Sequence, residues 1–123
     1  MGWTKFKIPG VLVGVKPKFV LMKTTGRSLV VIAGAKTLEE AQERFRGEAE
    51  KHFGCTLEQF FQGCADDFNG DYSADDPNHP HYTAKDLMSD GADMYNTISN
   101  HGFEIARHNG GDEYIADDAT RTL

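Results

Sequence analysis

The stretch Phe19-Val20-Leu21-Met22-Lys23-Thr24-Thr25-Gly26-Arg27-Ser28-Leu29-Val30-Val31-Ile32-Ala33 sets two apolar, β-branched runs around a short connection that holds a glycine. Runs of this kind, joined this way, form β-hairpins. A second hairpin is expected near the other end, where Asn109-Gly110 offers a favoured two-residue turn. That turn sets Ile105 opposite Tyr114 and Arg107 opposite Asp112, an apolar pair and an ion pair. Between the hairpins the pattern becomes helical. Strands, then helices, then strands argue α+β: one antiparallel sheet built from an N-terminal and a C-terminal hairpin, with about three helices on one face.

Each helix has a start signal. Thr37 with Glu40 forms a capping-box pattern, Leu38, Ala41, Phe45 and Ala49 recur on one face, and Gly54 is placed to end the helix. Thr56 with Gln59 repeats the pattern ahead of the stripe Leu57, Phe60, Phe61, Cys64 and Phe68, which Asn69-Gly70 stops. Thr83 opens a third helix running to His101-Gly102, with Asp86 in its first turn and Leu87, Gly91, Met94, Tyr95 and Ile98 inward. A glycine inside a helix costs about 1 kcal/mol against alanine, so Gly91 is expected to mark close packing. Val11–Val15, bracketed by Pro9-Gly10 and Lys16-Pro17, reads as a short edge strand, and the residues before Pro9 as a loose arm. The polar segment from Asn69 to Tyr82 reads as a long loop, and Asp117 to Leu123 as a frayed tail.

A chain of 123 residues with eight Phe, four Tyr and one Trp has the material for a single domain over 1–123 with its own core. Its apolar runs are too short to span a bilayer, and its start lacks the pattern of a secretory signal. Two cysteines do not make a disulfide framework, so an intracellular, cytoplasmic setting is expected.

Charge is the most informative feature for function. Residues 62–123 hold thirteen acids, nearly all Asp, against Lys85, Arg107 and Arg121, a net of −10. Residues 1–61 hold ten Lys and Arg against six Glu, a net of +4, and the halves together give the formal −6. An asymmetry of this size acts on partners and association rates rather than on fold. Overall acidity opposes direct nucleic-acid binding, while the basic half leaves room for a homo-oligomer.

Several chemistries lack their residues. Gly34-Ala35-Lys36-Thr37 sits where a phosphate loop would, but the spacing G-x-x-x-x-G-K-[ST] is not met. No zinc-protease, deaminase or nucleophile-elbow motif occurs, and no cofactor is expected. Cys64 lies on the apolar stripe as a core thiol, and Cys55 has no assured partner. A metal-dependent hydrolase or metal-binding protein could be built on Asp71, Asp75, His79 and His81, whose side-chain types suit zinc, manganese or iron.

The leading expectation is a non-enzymatic binding protein. Asp86, Asp90 and Asp93 follow i, i+4 and i+7, on one face of the expected third helix, and Thr97 continues the line. Their rise of about 4.5–6 Å per step approaches the spacing of phosphates along a duplex strand. Asp66, Asp67, Asp71, Asp75 and Asp76 form a second acidic patch. The expected partner is a basic protein, such as a nuclease or other nucleic-acid-binding effector, met in the manner of a phage anti-restriction or anti-CRISPR DNA mimic. An antitoxin-like or structural subunit that uses its sheet edge is a further reading.

Overall fold

The computed structural model describes residues 4–7, 17–70, 78, 81–110 and 113–123, the first stretch by its backbone alone. Along the chain come β1 (Thr4–Lys7), β2 (Phe19–Thr25), β3 (Ser28–Ala35), α1 (Leu38–Phe53), α2 (Leu57–Asn69), α3 (Ala84–Met88), α4 (Gly91–Ser99), β4 (Phe103–His108) and β5 (Glu113–Ala116). The expected edge strand at 11–15 falls outside the described residues. The expected loose arm contributes β1, an outer strand.

The architecture is α+β. One antiparallel sheet has the strand order β1-β5-β4-β2-β3, so the two hairpins meet at its centre through β2 and β4. Gly26, at φ +62°, supplies the left-handed residue of the first hairpin turn, and Thr25 pairs with Ser28. The register between β2 and β3 shifts between Leu21 and Met22. Leu21 faces Ala33 and Met22 faces Val31, so Ile32 is an extra, bulged residue. β3 is an edge, and Leu29, Val30 and Ile32 along it are exposed.

Alternation divides the sheet into two buried faces. Leu21, Phe103 and Ile105 join Phe45, Phe61, Tyr95 and Ile98 in the core under the helices. Val20, Met22, Ala106, Tyr114 and Ala116 form a second cluster on the opposite face. Two threonine caps act as their sequence patterns predict. The Thr37 hydroxyl accepts from the Glu40 N–H at 3.1 Å, and Thr56 and Gln59 complete a reciprocal capping box. Gly54 ends α1 at φ +72°.

The second hairpin departs from the expected register. Arg107 lies opposite Ile115 and His108 opposite Tyr114, and the Asn109 N–H donates to the Glu113 carbonyl. The connection is therefore one residue longer than a two-residue turn, and the pairing moves by three. An odd shift exchanges the faces of a strand. Tyr114 thus leaves the helix face, joins the second cluster and donates its hydroxyl to the Pro17 carbonyl at 2.9 Å.

Asp112 lies outside the described residues, and Arg107 forms an ion pair with Asp117. Its Nε and Nη2 donate to Asp117 Oδ2 at 3.1 and 2.7 Å. Asp117 and Thr120 close a turn: the Asp117 N–H donates to Thr120 Oγ1, and the Thr120 N–H to the Asp117 carbonyl. Both residues are buried, so the expected frayed tail is a docked segment. It continues to α4, where the Leu123 N–H donates to the Gly91 carbonyl. A Cβ on Gly91 would lie 2.8 Å from Thr122 Oγ1 and 2.9 Å from the Leu123 carbonyl oxygen, which is the close packing anticipated for this glycine.

One polar interaction ties these layers together. Tyr95, fully buried on α4, stacks on Phe45 of α1 with ring centroids 4.7 Å apart. Its hydroxyl accepts the Ile105 N–H at 2.8 Å and donates to Glu104 Oε1 at 3.1 Å, which also accepts from Arg121 Nε at 3.1 Å. Burial, and then the Glu104 charge, push the phenol far above its ordinary range, so it remains a donor.

Tyr95→Phe should therefore destabilise the protein by about 1–3 kcal/mol in urea unfolding, the cost of a buried N–H left without an acceptor. The Arg107 hydrogen bond holds the Asp117 carboxyl below its ordinary 3.8, against the desolvation that would raise it. A carboxyl lowered in the fold contributes stability above its ordinary value and loses it as pH falls through the lowered one. Asp117→Asn should consequently flatten the acid limb of a stability-against-pH curve below about pH 4, with wild type losing more over the same interval.

Candidate functional site

The α2 stripe outruns the core. Leu57, Phe61 and Ala65 are buried, Cys64 is half-buried, and Phe68 at the end is 57 % exposed. The second half of α2 thus offers apolar surface beyond the sheet. The loop that follows is pinched at its base. Asn69 Nδ2 donates to the Tyr82 carbonyl at 2.8 Å, and the Tyr82 N–H returns to Asn69 Oδ1 at 3.0 Å. The pinch brings the chain back beside α2, where the Ala84 N–H donates to Gln62 Oε1 and α3 begins.

The expected continuous third helix is two helices. α3 ends at Met88 and α4 begins at Gly91. Asp90 is the reason: its Oδ1 accepts the N–H groups of Ala92 and Asp93 at 2.9 and 3.1 Å, an N-cap that competes with helix continuation. Ser89 assists by donating its hydroxyl to the Asp86 carbonyl at 2.7 Å, and Gly91 has low helix propensity. Asp86 has a capping role as well. Its Oδ2 accepts from the Thr83 N–H and hydroxyl at 2.8 and 3.0 Å.

The even row of Asp86, Asp90 and Asp93 on one helix face is therefore not present, and the match to phosphate spacing along a single axis goes with it. The break instead turns these carboxylates toward a common cleft. Phe61, Cys64, Phe68 and Leu87 give its apolar lining, Asp67, Asp86, Asp90 and Asp93 its acidic residues, and Thr97 completes it. Its volume is about 480 Å³, within the range of small-ligand pockets. All four aspartates are exposed. Asp86 and Asp90 each spend one oxygen on capping, so the second oxygen of each remains for a donor from outside. Between 52 and 106 the chain has no Lys or Arg except Lys85, so little positive charge opposes this cluster.

The cleft gathers the expected Asp86, Asp90 and Asp93 and adds Asp67 from the second patch. Asp66, also exposed, is not among its lining residues and accepts from Gln62 Nε2 at 3.0 Å. Asp71, Asp75 and Asp76 lie outside the described residues, as does His79. His81 is exposed, and among the described residues no group of three or more His, Cys, Asp or Glu is placed to hold a metal ion. Cys64, expected as a core thiol, lines the cleft instead. The sequence signal for that role was Phe68: a stripe carried one turn past the last buried position needs something other than the core to face. Comparison with protein-family models, curated proteins and solved structures finds no match. Among the described residues no helix is long and apolar enough to cross a membrane.

Burial first, and then the Asp67 charge, raise the Cys64 thiol above its ordinary value. Its thiolate fraction near neutral pH is correspondingly small. Asp67→Asn should speed the alkylation of Cys64, followed by peptide mass spectrometry, with the rate at Cys55 unchanged as the internal reference.

Proposed function

We propose that this chain is a small, non-enzymatic binding protein that docks its aspartate-rich side on a basic, nucleic-acid-binding protein, in the manner of a phage inhibitor that mimics DNA. The observation that supports this reading is the convergence of Asp67, Asp86, Asp90 and Asp93 around one apolar-lined cleft. Uniform solvated acid would carry charge without an apolar anchor. A protein interface combines both, an apolar centre that holds and polar groups that orient. The acidic half also steers encounter with a cationic surface, which raises the association rate and makes it fall with salt.

Two sets of substitutions test this reading. Asp67→Asn with Asp93→Asn removes charge from side chains that hold no cap. Asp86→Asn, Asp90→Asn and Asp93→Asn together remove the three charges of the α3–α4 junction while keeping cap-competent side chains, since Asn also caps helices. Both variants should retain the wild-type circular dichroism spectrum and lose most capture of nucleic-acid-binding proteins from a lysate at low salt. Capture that stays at wild-type level in both variants, and is indifferent to salt, would count against the proposal.

A further inference from the structure

We infer that the cleft between α2 and the α3–α4 junction is a seat for an arginine side chain of the partner. This rests on the proposed docking of the acidic side and names what enters it. A basic surface offers two kinds of cation. The lysine ammonium is a compact, strongly hydrated charge, whereas the arginine guanidinium is a weakly hydrated plane with five donors that stacks on aromatic rings. The cleft matches the second. Its lining includes Phe68, 57 % exposed and meeting Tyr82 edge-on, and Leu87, an aromatic ring and an aliphatic side chain for a guest with a three-carbon stem.

The acceptors match as well. Capping occupies Oδ2 of Asp86 and Oδ1 of Asp90, so each offers one remaining oxygen, while the Asp93 and Asp67 carboxylates come from α4 and α2. Acceptors drawn from different elements suit a planar fork of donors that can serve several at once. A single charged point gains less from that spread. The caps also hold Asp86 and Asp90 in place before anything binds, which lowers the ordering cost of binding.

The test uses the whole chain and three capped single residues, the N-acetyl methylamides of arginine, lysine and citrulline. Citrulline keeps the shape of arginine without its charge. Amide and side-chain resonances of Leu87, Thr97 and Phe68 are followed by NMR through the millimolar range. Arginine should give saturable shifts at these residues, lysine should bind at least several-fold more weakly, and citrulline should give none. Asp93→Asn and, separately, Phe68→Ser should each weaken arginine several-fold. Phe68 is exposed enough that its loss leaves the core intact. Equal binding of lysine, shifts as large with citrulline, or shifts spread over all surface acids without saturation would overturn the inference. Lysate capture that still depends on the aspartates would then leave the broader docking reading standing, whereas capture independent of them would remove that reading separately.

Discussion

The hydroxyl of Tyr95 answers a buried donor in the sheet, the Ile105 N–H, at a point where no strand lies beside it to accept. Alternate N–H groups of β4 point toward β2 and toward β5. Asn109, on the β5 side, donates to Glu113, and Arg107 faces Ile115. Ile105 is next on that side, but β5 has ended at Ala116 and the chain has turned away at Asp117. A buried N–H without an acceptor is costly, so some group must take it. Tyr95 does so from α4, and its other contacts follow from being held there. It stacks on Phe45, fixing α1 over the sheet, and it donates to Glu104, which Arg121 joins from the tail. Helix layer, sheet and C-terminal segment are thus tied through one phenol.

The acidic side depends on that arrangement at one remove. With Tyr95 in the core, Gly91 lies against Thr122 and Leu123 with no room for a side chain, and the first turn of α4 is fixed. Asp90 then caps from a defined position and Asp93 follows one turn on. Two of the cleft's acids are thereby employed at home as well as displayed abroad. Carboxylates that accept N–H groups at a helix start are favoured by the helix dipole, which helps this segment carry several like charges near one another.

Much of the fold was legible from local chemistry. Thr37, Thr56 and Thr83 each mark a helix start, and Gly26 and Gly54 are the turn and helix-end residues that their positions predict. What was not legible was decided by partners distant in sequence. At Asn109-Gly110 the sequence favours a register that sets Ile105 opposite Tyr114, yet Tyr114 lies opposite His108 and is buried on the other face of the sheet, beside Val20 and Met22. The segment from Asp117 to Leu123 reads as a frayed tail, yet Asp117 and Thr120 bond each other and Arg107 bonds Asp117. At Asp90 the helical period and the capping preference of aspartate competed, and the cap prevailed. The acidic site was accordingly legible in its residues, while its shape, a cleft rather than a row, was not.

The position of β2 beside β4 bears on how the chain reaches this state. Each hairpin joins strands that are near neighbours in sequence, and such contacts form quickly at small entropic cost. The pair at the centre of the sheet is different: everything from β3 to α4 intervenes between its two strands. Its closure requires a long excursion of chain to be gathered before any ladder bond there rewards it, the kind of non-local pairing that slows folding. The hairpins and helices can thus be assembled early while the seam between β2 and β4 is still open, and Ile105, midway along that seam, takes its phenol partner only as the seam closes.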